Sequence, residues 1–376
     1  MSSPLRESVT AVLLHGDEVL AIRRQNHLTV FPGYTSFPGG KVDRSERELG
    51  ERTRELFGKS FPLRHLKALF REVEEELGLN LEKAIDRGEL EDLFYLGEAS
   101  TPEFQSVRFQ TYFYGIRLKS RPEFHVDDGE VAEWEWKTSK KWLERYDQGH
   151  LLLVPPTKHV FKALTQEGPP TTPQDFNLRY TSTLHVPMLE NVKGLKQYLP
   201  LSHTFPPANR TNCFLLGDET KVLIDPSPKD EKELEKLTNS LRRDLQGQDL
   251  SLIFLTHHHP DHYEHVRELA SEFSVSLGMS RDTYERILKD QGSDFFGYHD
   301  IKFFSEGDVL TTTLSKKVLV FEVPGHDEGQ LALAPSDMSW FLAGDLIQTV
   351  GTVVIGGEEG DMAKYFDSLK RVIDLS

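Results

Sequence analysis

Four histidines and an aspartate fall within seven consecutive positions, 256–262, directly after the apolar run 252–255. The apolar run has the length and composition of a buried strand, and the sequence after the histidines has the periodicity of a helix. Side chains at the end of a strand are held on a rigid element. Imidazole and carboxylate groups are ligands that zinc and similar ions accept. The run therefore predicts a metal site at a strand end rather than a polyhistidine surface tract.

The composition of the 376-residue chain is that of a globular protein with about two domains, since 38% of its residues are hydrophobic and 28% are charged. The net charge of −16 argues against a general surface for RNA or another polyanion, because phosphate groups would be repelled. Phosphorylated small molecules stay possible where bound metal supplies positive charge. We therefore expect a small-molecule, nucleotide-type substrate.

The sequence has no secretion signal and no apolar stretch long enough to span a membrane. Its single cysteine, Cys213, lies in an apolar stretch, which is typical of a small buried strand residue. One cysteine cannot form an internal disulfide, as suits a reducing compartment. These features predict a cytoplasmic protein without membrane contact.

A dense run of proline and glycine at 168–173 indicates a linker. We predict a first domain over 1–167, a linker over 168–179 and a second domain over 180–376. The first domain has an α+β order of elements, and the second alternates strands with helices, which favours sheets with helices packed outside them. The predicted elements of the first domain are a hairpin over 8–23, strands near 94–96 and 109–118, and helices over 63–77, near 139–146 and ending near 164. Those of the second are strands over 213–216, 221–224, 252–255, 318–323, 331–334 and 339–343, and helices near 232–245, 265–273 and 362–373.

The predicted helix 63–77 carries three glutamates on one face, Glu72, Glu75 and Glu76, opposite its apolar stripe. Like charges at this spacing weaken a helix unless something positive lies between them. Oxygen ligands suit Mg²⁺ or Mn²⁺. A solvated acidic helix face would show the same periodicity, so the spacing alone leaves both interpretations open. Gly78 is the predicted stop of this helix.

Residues 71–79 match the second half of the Nudix box, R-E-U-x-E-E-x-G-U with U aliphatic, at every specified position. Gly40 and Glu46 stand for the first half, although Arg71 follows Gly40 by 31 positions, a longer gap than usual. A surface loop tolerates such an insertion. Residues 5–165 therefore resemble a Nudix hydrolase, and the Phe-Pro-Gly-Gly lead at 37–40 looks like the coenzyme A diphosphohydrolase subgroup.

The resemblance implies a Nudix fold, a mixed sheet with flanking helices, in which Glu72, Glu75 and Glu76 bind Mg²⁺ or Mn²⁺. It also implies that Arg71 orients a glutamate, and that one of these glutamates or Glu46 helps to activate water. In many members a carboxylate from later in the domain completes the site, and Glu130 and Glu133 are the candidates in this sequence. The implied reaction is hydrolysis of a nucleoside diphosphate linked to another moiety, with a coenzyme A-like molecule among the candidates.

The histidine run also matches a motif, H-x-H-x-D-H, of the metallo-β-lactamase superfamily. Further parts of that pattern follow in the expected chain order: Asp225 after a strand, His326 after Pro324-Gly325, and Asp345 after Ala343-Gly344. Residues 180–376 therefore resemble this superfamily, closest to its glyoxalase-II-like and β-lactamase-like protein 2 branch.

This second resemblance implies an αββα sandwich in which His257, His259 and His326 hold one zinc. Asp261 and His262 would help to hold a second zinc, and Asp345 would lie between the two ions. Metal-activated water would be the nucleophile, with Asp261 in the catalytic centre. The fold serves thioesters, lactams, phosphodiesters and RNA, so it does not select a substrate.

Relatives usually have one more histidine after the last helix, whereas this sequence ends at 375–376. The expectation is a truncated form of a longer protein or a weak second zinc site. His203 and His265 could substitute, but nothing in their spacing favours them. Gln330 stands where a histidine is common.

Three hypotheses follow from these two motif sets. The first is a two-domain metal-dependent hydrolase with both centres active. The second is an RNA-processing nuclease that acts through the second domain, against which the net charge counts. The third makes the second domain a non-catalytic binding or dimerisation module, which an occupied second zinc site would contradict.

Overall fold

The computed structural model describes residues 5–43, 49–105, 107–126, 128–165, 170–348 and 350–375. The chain divides into two compact units. Unit 1 comprises Met1–Arg179 and Asn191–Lys193, and unit 2 comprises Tyr180–Glu190 and Gly194–Ser376. No helix in the described ranges is both long and apolar enough to cross a membrane.

Unit 1 is built on a mixed sheet with the strand order β3-β2-β1-β6-β5-β8, in which β4 also pairs with β1 and β7 with β2. Its strands are β1 (Arg6–His15), β2 (Glu18–Arg24), β3 (Thr35–Ser36), β4 (Gly39–Lys41), β5 (Leu90–Ser100), β6 (Phe109–Leu118), β7 (Val131–Thr138) and β8 (Gln174–Asp175). Its helices are α1 (Glu51–Phe57), α2 (Leu63–Leu77), α3 (Leu81–Asp86), α4 (Ser139–Asp147) and α5 (Pro155–Leu164).

The predicted hairpin is confirmed, since β1 and β2 pair in antiparallel register with His15 opposite Glu18. The predicted helix 63–77 is α2, with the bounds that its apolar stripe indicated. Leu66, Leu69, Val73 and Leu77 of this stripe are buried in the unit 1 core. Burial of the stripe fixes the rotation of α2 about its own axis. In this orientation the glutamate face of α2 lies against β4.

Gly78 ends α2 in the left-handed conformation, with φ +66°, as the sequence predicted. Of the predicted linker 168–179, the first two positions lie outside the described residues, and 170–179 are structured in part. Gln174 pairs with Gly97 in parallel register, so β8 extends the unit 1 sheet. Phe176, which follows β8, is buried in a core cluster of unit 1.

Unit 2 contains a large sheet with the order β15-β14-β13-β12-β11-β10-β9 and a smaller sheet with the order β16-β17-β18. The strands are β9 (Met188–Val192), β10 (Leu195–Tyr198), β11 (Cys213–Leu216), β12 (Lys221–Ile224), β13 (Leu250–Phe254), β14 (Ser276–Met279), β15 (Ile301–Phe303), β16 (Val309–Thr313), β17 (Lys316–Glu322) and β18 (Leu331–Pro335). The helices are α6 (Glu231–Leu245), α7 (Pro260–Tyr263), α8 (Val266–Phe273), α9 (Arg281–Gln291) and α10 (Met362–Leu375), and Gly344–Leu346 form a 3₁₀ turn.

Strands β12 to β15 run parallel, so their carboxyl ends share one edge of the large sheet. Asp225 directly follows β12, and the histidine run follows β13. The parallel arrangement therefore brings two predicted site segments to the same edge, where ligands of open α/β sheets commonly bind.

One predicted strand, 339–343, does not form. Only an isolated bridge joins Leu342 to Leu333, and a 3₁₀ turn follows from Gly344. Met338 and Gly344 both have positive φ, which interrupts the extended backbone on either side of the apolar residues. Elsewhere the predicted architecture of mixed sheets with flanking helices is confirmed in both units.

Candidate metal centres

The glutamate face of α2 is not uniform in its exposure to solvent. The side chain of Glu76 is 3% exposed and that of Glu72 is 12% exposed, whereas that of Glu75 is 58% exposed. Arg71 bridges the last two, because its guanidinium lies 2.6 Å from Glu72 Oε1 and 2.8 Å from Glu75 Oε2. Arg71 thus contacts both carboxylates, and the sequence resemblance implied that it orients a glutamate.

Strand β4 closes over the buried carboxylates. The backbone N–H of Gly39 donates to Glu76 Oε1 at 3.3 Å, and Arg71 Nη2 donates to the carbonyl oxygen of Lys41 at 3.0 Å. A side chain at Gly40 would collide with Glu72, whose Oε1 lies 2.4 Å from an ideal Cβ position. The two halves of the sequence motif are therefore adjacent in space despite the 31 positions between Gly40 and Arg71.

The pKa of Glu76 is raised to about 8, mainly by burial, with the Gly39 hydrogen bond opposing the shift and the nearby carboxylates of Glu72 and Glu130 adding to it. Burial also raises the pKa of Glu72, although Arg71 opposes this shift. Within the described residues, Glu76 Oε2 is buried without a hydrogen-bond partner. A buried oxygen acceptor in a crowded carboxylate cluster fits a hard cation such as Mg²⁺ or Mn²⁺.

The remaining predicted members of this centre are placed less favourably. In the described ranges, Glu72, Glu75 and Glu76 do not form a set of ligand atoms within 4.8 Å of one another, because Glu75 turns outward to Arg71. Glu133 pairs with Arg23 at 2.9 Å instead of facing the cluster. Glu46 lies outside the described residues.

The second centre, in unit 2, brings three imidazoles together. The Nδ1 atom of His259 lies 3.0 Å from His257 Nε2 and 3.0 Å from His326 Nε2. Three ligands on a tetrahedral zinc, each about 2.0–2.1 Å from the ion, would stand about 3.3 Å apart. The three nitrogen atoms therefore have the spacing and chemistry of a zinc site.

A second ligand set adjoins the first and consists of His257, His262 and Asp345. His262 Nε2 lies 3.4 Å from Asp345 Oδ1, and His326 Nε2 lies 3.8 Å from Asp345 Oδ2. The Asp345 carboxylate thus belongs to the second set and also lies close to His326 of the first set. The sequence resemblance implied that it lies between two ions. Asp261 is outside both sets, with its Oδ2 atom 3.9 Å from His262 Nε2.

Each ligand histidine of these sets other than His259 has a partner at Nδ1, which leaves Nε2 for a metal. Thr256 Oγ1 lies 3.0 Å from His257 Nδ1, and Asp225 Oδ2 lies 3.0 Å from His262 Nδ1. His326 Nδ1 donates to the carbonyl oxygen of Val354 at 2.7 Å. Such outer partners fix the ring orientation of metal ligands. Asp225 also accepts from Thr256, so it fixes two neighbouring groups.

The electrostatics divide the histidines into two classes. Burial, together with the neighbouring imidazoles, lowers the pKa of His257 well below its ordinary value and that of His259 to about 4. Burial also disfavours the charged form of His262, but Asp345 and Asp225 outweigh it and hold the pKa of His262 well above normal. Burial likewise opposes the charged form of Asp345, yet His262 and His326 hold its pKa well below normal. The neutral imidazoles are ready to bind a cation.

The substitutes considered for a missing ligand lie elsewhere. His203 Nδ1 is 2.9 Å from Glu264 Oε1, and His265 adopts a left-handed conformation before α8. Neither belongs to a ligand set in the described ranges. Gln330 Nε2 donates to the carbonyl oxygen of Ala343 at 2.8 Å, so this residue supports the turn before Asp345.

A buried pair, His258 and Asp327, was not predicted as part of the site. His258 Nδ1 bonds to Asp327 Oδ2, and both side chains are buried. Their 69-position separation hides the contact from local sequence patterns. The only sequence signal is the position of each residue beside a predicted ligand, since His258 lies within the histidine run and Asp327 follows His326.

A model of the family "Metallo-beta-lactamase superfamily" matches residues 206–376. A hydroxyacylglutathione hydrolase of Bdellovibrio bacteriovorus is 30% identical over 34% of this chain and 45% of its own length. A probable polyketide biosynthesis zinc-dependent hydrolase of Bacillus velezensis is 24% identical over 43% of this chain and 65% of its own length. The chain thus spans less than half the length of several curated relatives that it matches.

Among solved structures, a NUDIX hydrolase from Alicyclobacillus acidocaldarius is 23% identical, with a TM-score of 0.35, over 43% of this chain and 91% of that one. A metallo-beta-lactamase from Pontibacter korlensis is 18% identical, with a TM-score of 0.42, over 51% of this chain and 86% of that one. The family match over 206–376 coincides with the strand-end histidines and Asp345 of unit 2. Residues 206–376 therefore form a metallo-beta-lactamase superfamily domain.

Proposed function

We propose that unit 2 is a zinc-dependent hydrolase of an ester or thioester. The observation that carries the proposal is the triangle of His257, His259 and His326 nitrogen atoms beside the His262–Asp345 pair. His257, His259 and His326 would hold one zinc. His262 and Asp345 would contribute ligands to a second zinc. Bound zinc would supply Lewis acidity and lower the pKa of water toward neutrality.

The residues of the chain prepare the centre for this chemistry. Asp225 and Thr256 hold the rings of His262 and His257, so their Nε2 atoms stay in place while substrate binds. Asp261 has a side chain 16% exposed and accepts a hydrogen bond from Thr211 at 3.4 Å. We assign to its carboxylate the acceptance of a proton from the attacking water.

The names of the relatives support a thioester or related acyl substrate over a nucleic acid. Several are hydroxyacylglutathione hydrolases, and another is a probable zinc-dependent hydrolase. The chain's charge of −16 also disfavours RNA, because the phosphate backbone would be repelled. A nuclease and a non-catalytic binding module are therefore alternative outcomes of the test below.

The test measures zinc content and hydrolysis of acyl thioesters, esters and RNA by wild type, His257→Ala and the control His203→Ala. We expect His257→Ala to lose zinc and acyl hydrolysis by at least about 100-fold, because one of three ligands is removed. His203→Ala should match wild type, since His203 contacts only Glu264 among the described ligand-type residues. Cleavage of RNA alone, or tight zinc binding with no hydrolysis of any substrate, would replace the proposal with one of the alternatives.

We also propose that unit 1 hydrolyses a nucleoside diphosphate linked to another moiety with Mg²⁺ or Mn²⁺, and coenzyme A-like molecules are among the candidate substrates. Support comes from Glu72 and Glu76, which are buried beneath β4, and from Arg71, which orients Glu72. The cation would be held by Glu72, Glu75 and Glu76, and it would neutralise diphosphate charge. Glu46 or one of these three would assist the attacking water. In this proposal the domains are 1–167 and 180–376.

The test of unit 1 uses Glu72→Gln, Glu75→Gln and Glu76→Gln, with Glu55→Gln as the control. Glu55 follows Arg54 in α1 and imitates the start of the motif without its later glutamates. We expect Glu75→Gln to abolish diphosphate hydrolysis in Mn²⁺ while zinc content is unchanged, and Glu55→Gln to have no effect. Full activity in all three α2 variants would reject the assignment.

A further inference from the structure

His258 has an outer partner at Nδ1, as the candidate ligands His262 and His326 do, although the motif assigns it no role. Its Nδ1 atom bonds to the carboxylate of Asp327, whose side chain is fully buried. Asp327 in turn accepts a hydrogen bond from the backbone N–H of Gly329 at 2.9 Å. A carboxylate on one ring nitrogen orients a histidine and raises the basicity of the other, as in known metal sites. The same pattern occurs here at His262 with Asp225.

The support for Asp327 is built into the fold. Thr283 Oγ1 of α9 donates to the carbonyl oxygen of Gly329 at 3.3 Å. Gly329 packs so closely on Ser280 that an added Cβ would stand 2.7 Å from its Oγ atom. The start of α9 therefore fixes the turn that carries Asp327, and Asp327 fixes the ring of His258.

A third potential ligand, Glu359, reaches the same place from the glycine-rich segment 356–360. Single ligand atoms of His258, His259 and Glu359 all lie within 4.8 Å of one another. In the described ranges, the Glu359 side chain has no hydrogen bond or ion pair, whereas its neighbour Glu358 pairs with Lys289 at 2.9 Å. Two imidazoles and a carboxylate match the donor types that borderline divalent ions accept.

We propose that His258, Glu359 and His259 form an additional, weaker site for a borderline divalent cation such as Zn²⁺ or Co²⁺. The site goes beyond the proposed hydrolase centre and touches it only through His259. His259 places Nδ1 in the first ligand set, so this ion would bind its other nitrogen and displace the proton carried there, which leaves a bridging imidazolate and releases the proton to solvent. The additional cation therefore binds after the first set is filled, at higher free metal concentration.

A buried His258–Asp327 ion pair with a purely structural role is the competing explanation. It accounts for the contact between the two side chains, but it gives no reason for a carboxylate oxygen of Glu359 to lie within 4.8 Å of both imidazoles. The charge of Arg286 also acts on Glu359, but no hydrogen bond or close ion pair joins the two in the described ranges. Glu359 therefore separates the two explanations. His258 is a poor choice for the test, because its removal would leave the buried Asp327 carboxylate unpaired and destabilise the fold.

The experiment is equilibrium dialysis of the full chain against a series of buffered free Zn²⁺ concentrations, with bound metal measured by mass spectrometry. Wild type and the control Glu358→Gln should bind one zinc more at the highest concentrations than Glu359→Gln does. Glu359→Asp should recover part of that binding, because it keeps the carboxylate. Asp327→Asn should lower the affinity for the last zinc by about tenfold or more, because His258 then has a neutral amide instead of a carboxylate at Nδ1.

Each outcome bears on one proposal. If Glu359→Gln binds as many zinc ions as wild type over the whole titration, the additional site is wrong. If the variant loses no zinc but its tightest zinc binds more weakly, Glu359 is an outer hydrogen-bond partner of His259, which also overturns the site. Wild type that binds no tight zinc would contradict the proposed hydrolase centre instead.

Discussion

At the scale of single residues, Gly40 shows how a missing side chain shapes the first centre. Its Cα approaches the Glu72 carboxylate so closely that a Cβ would lie 2.4 Å from Oε1, and φ at this position requires no glycine. We predict that Gly40→Ala displaces the carboxylate and weakens Mn²⁺ binding by about tenfold or more, by analogy with the loss of an outer metal partner. Electron paramagnetic resonance of free Mn²⁺ measures the change.

Gly356→Ala is the matched control, because no atom lies within 4 Å of its added Cβ and its φ is also unrestricted. It should leave Mn²⁺ affinity unchanged. Equal affinity in Gly40→Ala and Gly356→Ala would show that the contact with Glu72 does not govern cation binding.

Asp244 carries a second prediction at this scale. The fully buried Tyr198 donates its hydroxyl hydrogen to Asp244 Oδ2 at 2.7 Å, and Arg243 Nε donates to Oδ1 at 2.8 Å. Burial opposes ionisation, but these hydrogen bonds outweigh it and leave the pKa of Asp244 below its ordinary value. Asp244→Asn should therefore lower the free energy of unfolding at pH 7 by about 1–3 kcal/mol, measured by urea denaturation.

The sign of the pH dependence follows from the lowered pKa of Asp244. A carboxyl group with a lowered folded-state pKa stabilises the fold above its unfolded pKa, and this contribution is lost as pH falls through the folded value. The stability gap between wild type and Asp244→Asn should therefore shrink in acid. Asp249→Asn, an exposed control, should match wild type throughout. A gap that is constant with pH would argue against the ionised hydrogen bond.

The sequence predicted individual site residues where a local spacing rule exists. The i, i+3, i+4 spacing predicted Glu72, Glu75 and Glu76, and the H-x-H-x-D-H motif predicted His257, His259 and His262. No such local rule predicts contacts between residues that are distant in the chain. The contacts of His258 with Asp327 and of His326 with the Val354 carbonyl depend on how loops meet at the sheet edge, which no local pattern encodes.

At the scale of secondary-structure elements, α2 shows what periodicity can and cannot predict. Its bounds were predictable because a continuous apolar stripe ends at a glycine. The predicted strand 339–343 is wrong. Phe341 and Leu342 are apolar as in a strand, but positive φ at Met338 and Gly344 interrupts the extended backbone. Backbone conformation at a non-glycine residue such as Met338 has no compositional signal.

Gly78 provides a prediction for the end of α2. Its φ of +66° disfavours other residues, and an added Cβ would lie 2.6 Å from the carbonyl oxygen of His125. Gly88 has a φ of +68° but nothing within 4 Å of an added Cβ. Gly88→Ala should cost about 1–2 kcal/mol of unfolding free energy, the penalty for the left-handed backbone alone. Gly78→Ala should cost more, because the collision with His125 adds to it.

Thermal denaturation of both variants measures this difference. Equal destabilisation would mean that His125 yields without cost and that the C-terminus of α2 is loosely held. A larger loss in Gly78→Ala, accompanied by weaker Mn²⁺ binding, would link the end of α2 to Glu76, which lies two residues before Gly78.

At the scale of the whole molecule, the two candidate centres belong to separate units with separate cores. Of the clusters formed by described residues, those around α2 and around Phe113 lie in unit 1, and those around Ile253 and around Ala332 lie in unit 2. The candidate donors differ too, because the glutamates of α2 offer oxygen atoms and the ligand sets of unit 2 offer mainly imidazoles. Different donors select different cations. Each centre should therefore lose its metal without affecting the other.

We predict that His257→Ala removes zinc and acyl hydrolysis while diphosphate hydrolysis in Mn²⁺ stays within about twofold of wild type, since no unit 1 core residue is altered. Glu72→Gln should give the reverse pattern. Both rates and the zinc content are measured on the same preparations, with circular dichroism to establish that each variant is folded. Loss of both activities in a folded single variant would mean that the centres are coupled. If the units work independently, each activity of the double variant should fall by the product of the factors measured in the two single variants. The physical reason is that the free-energy effects of sites sharing no partners add.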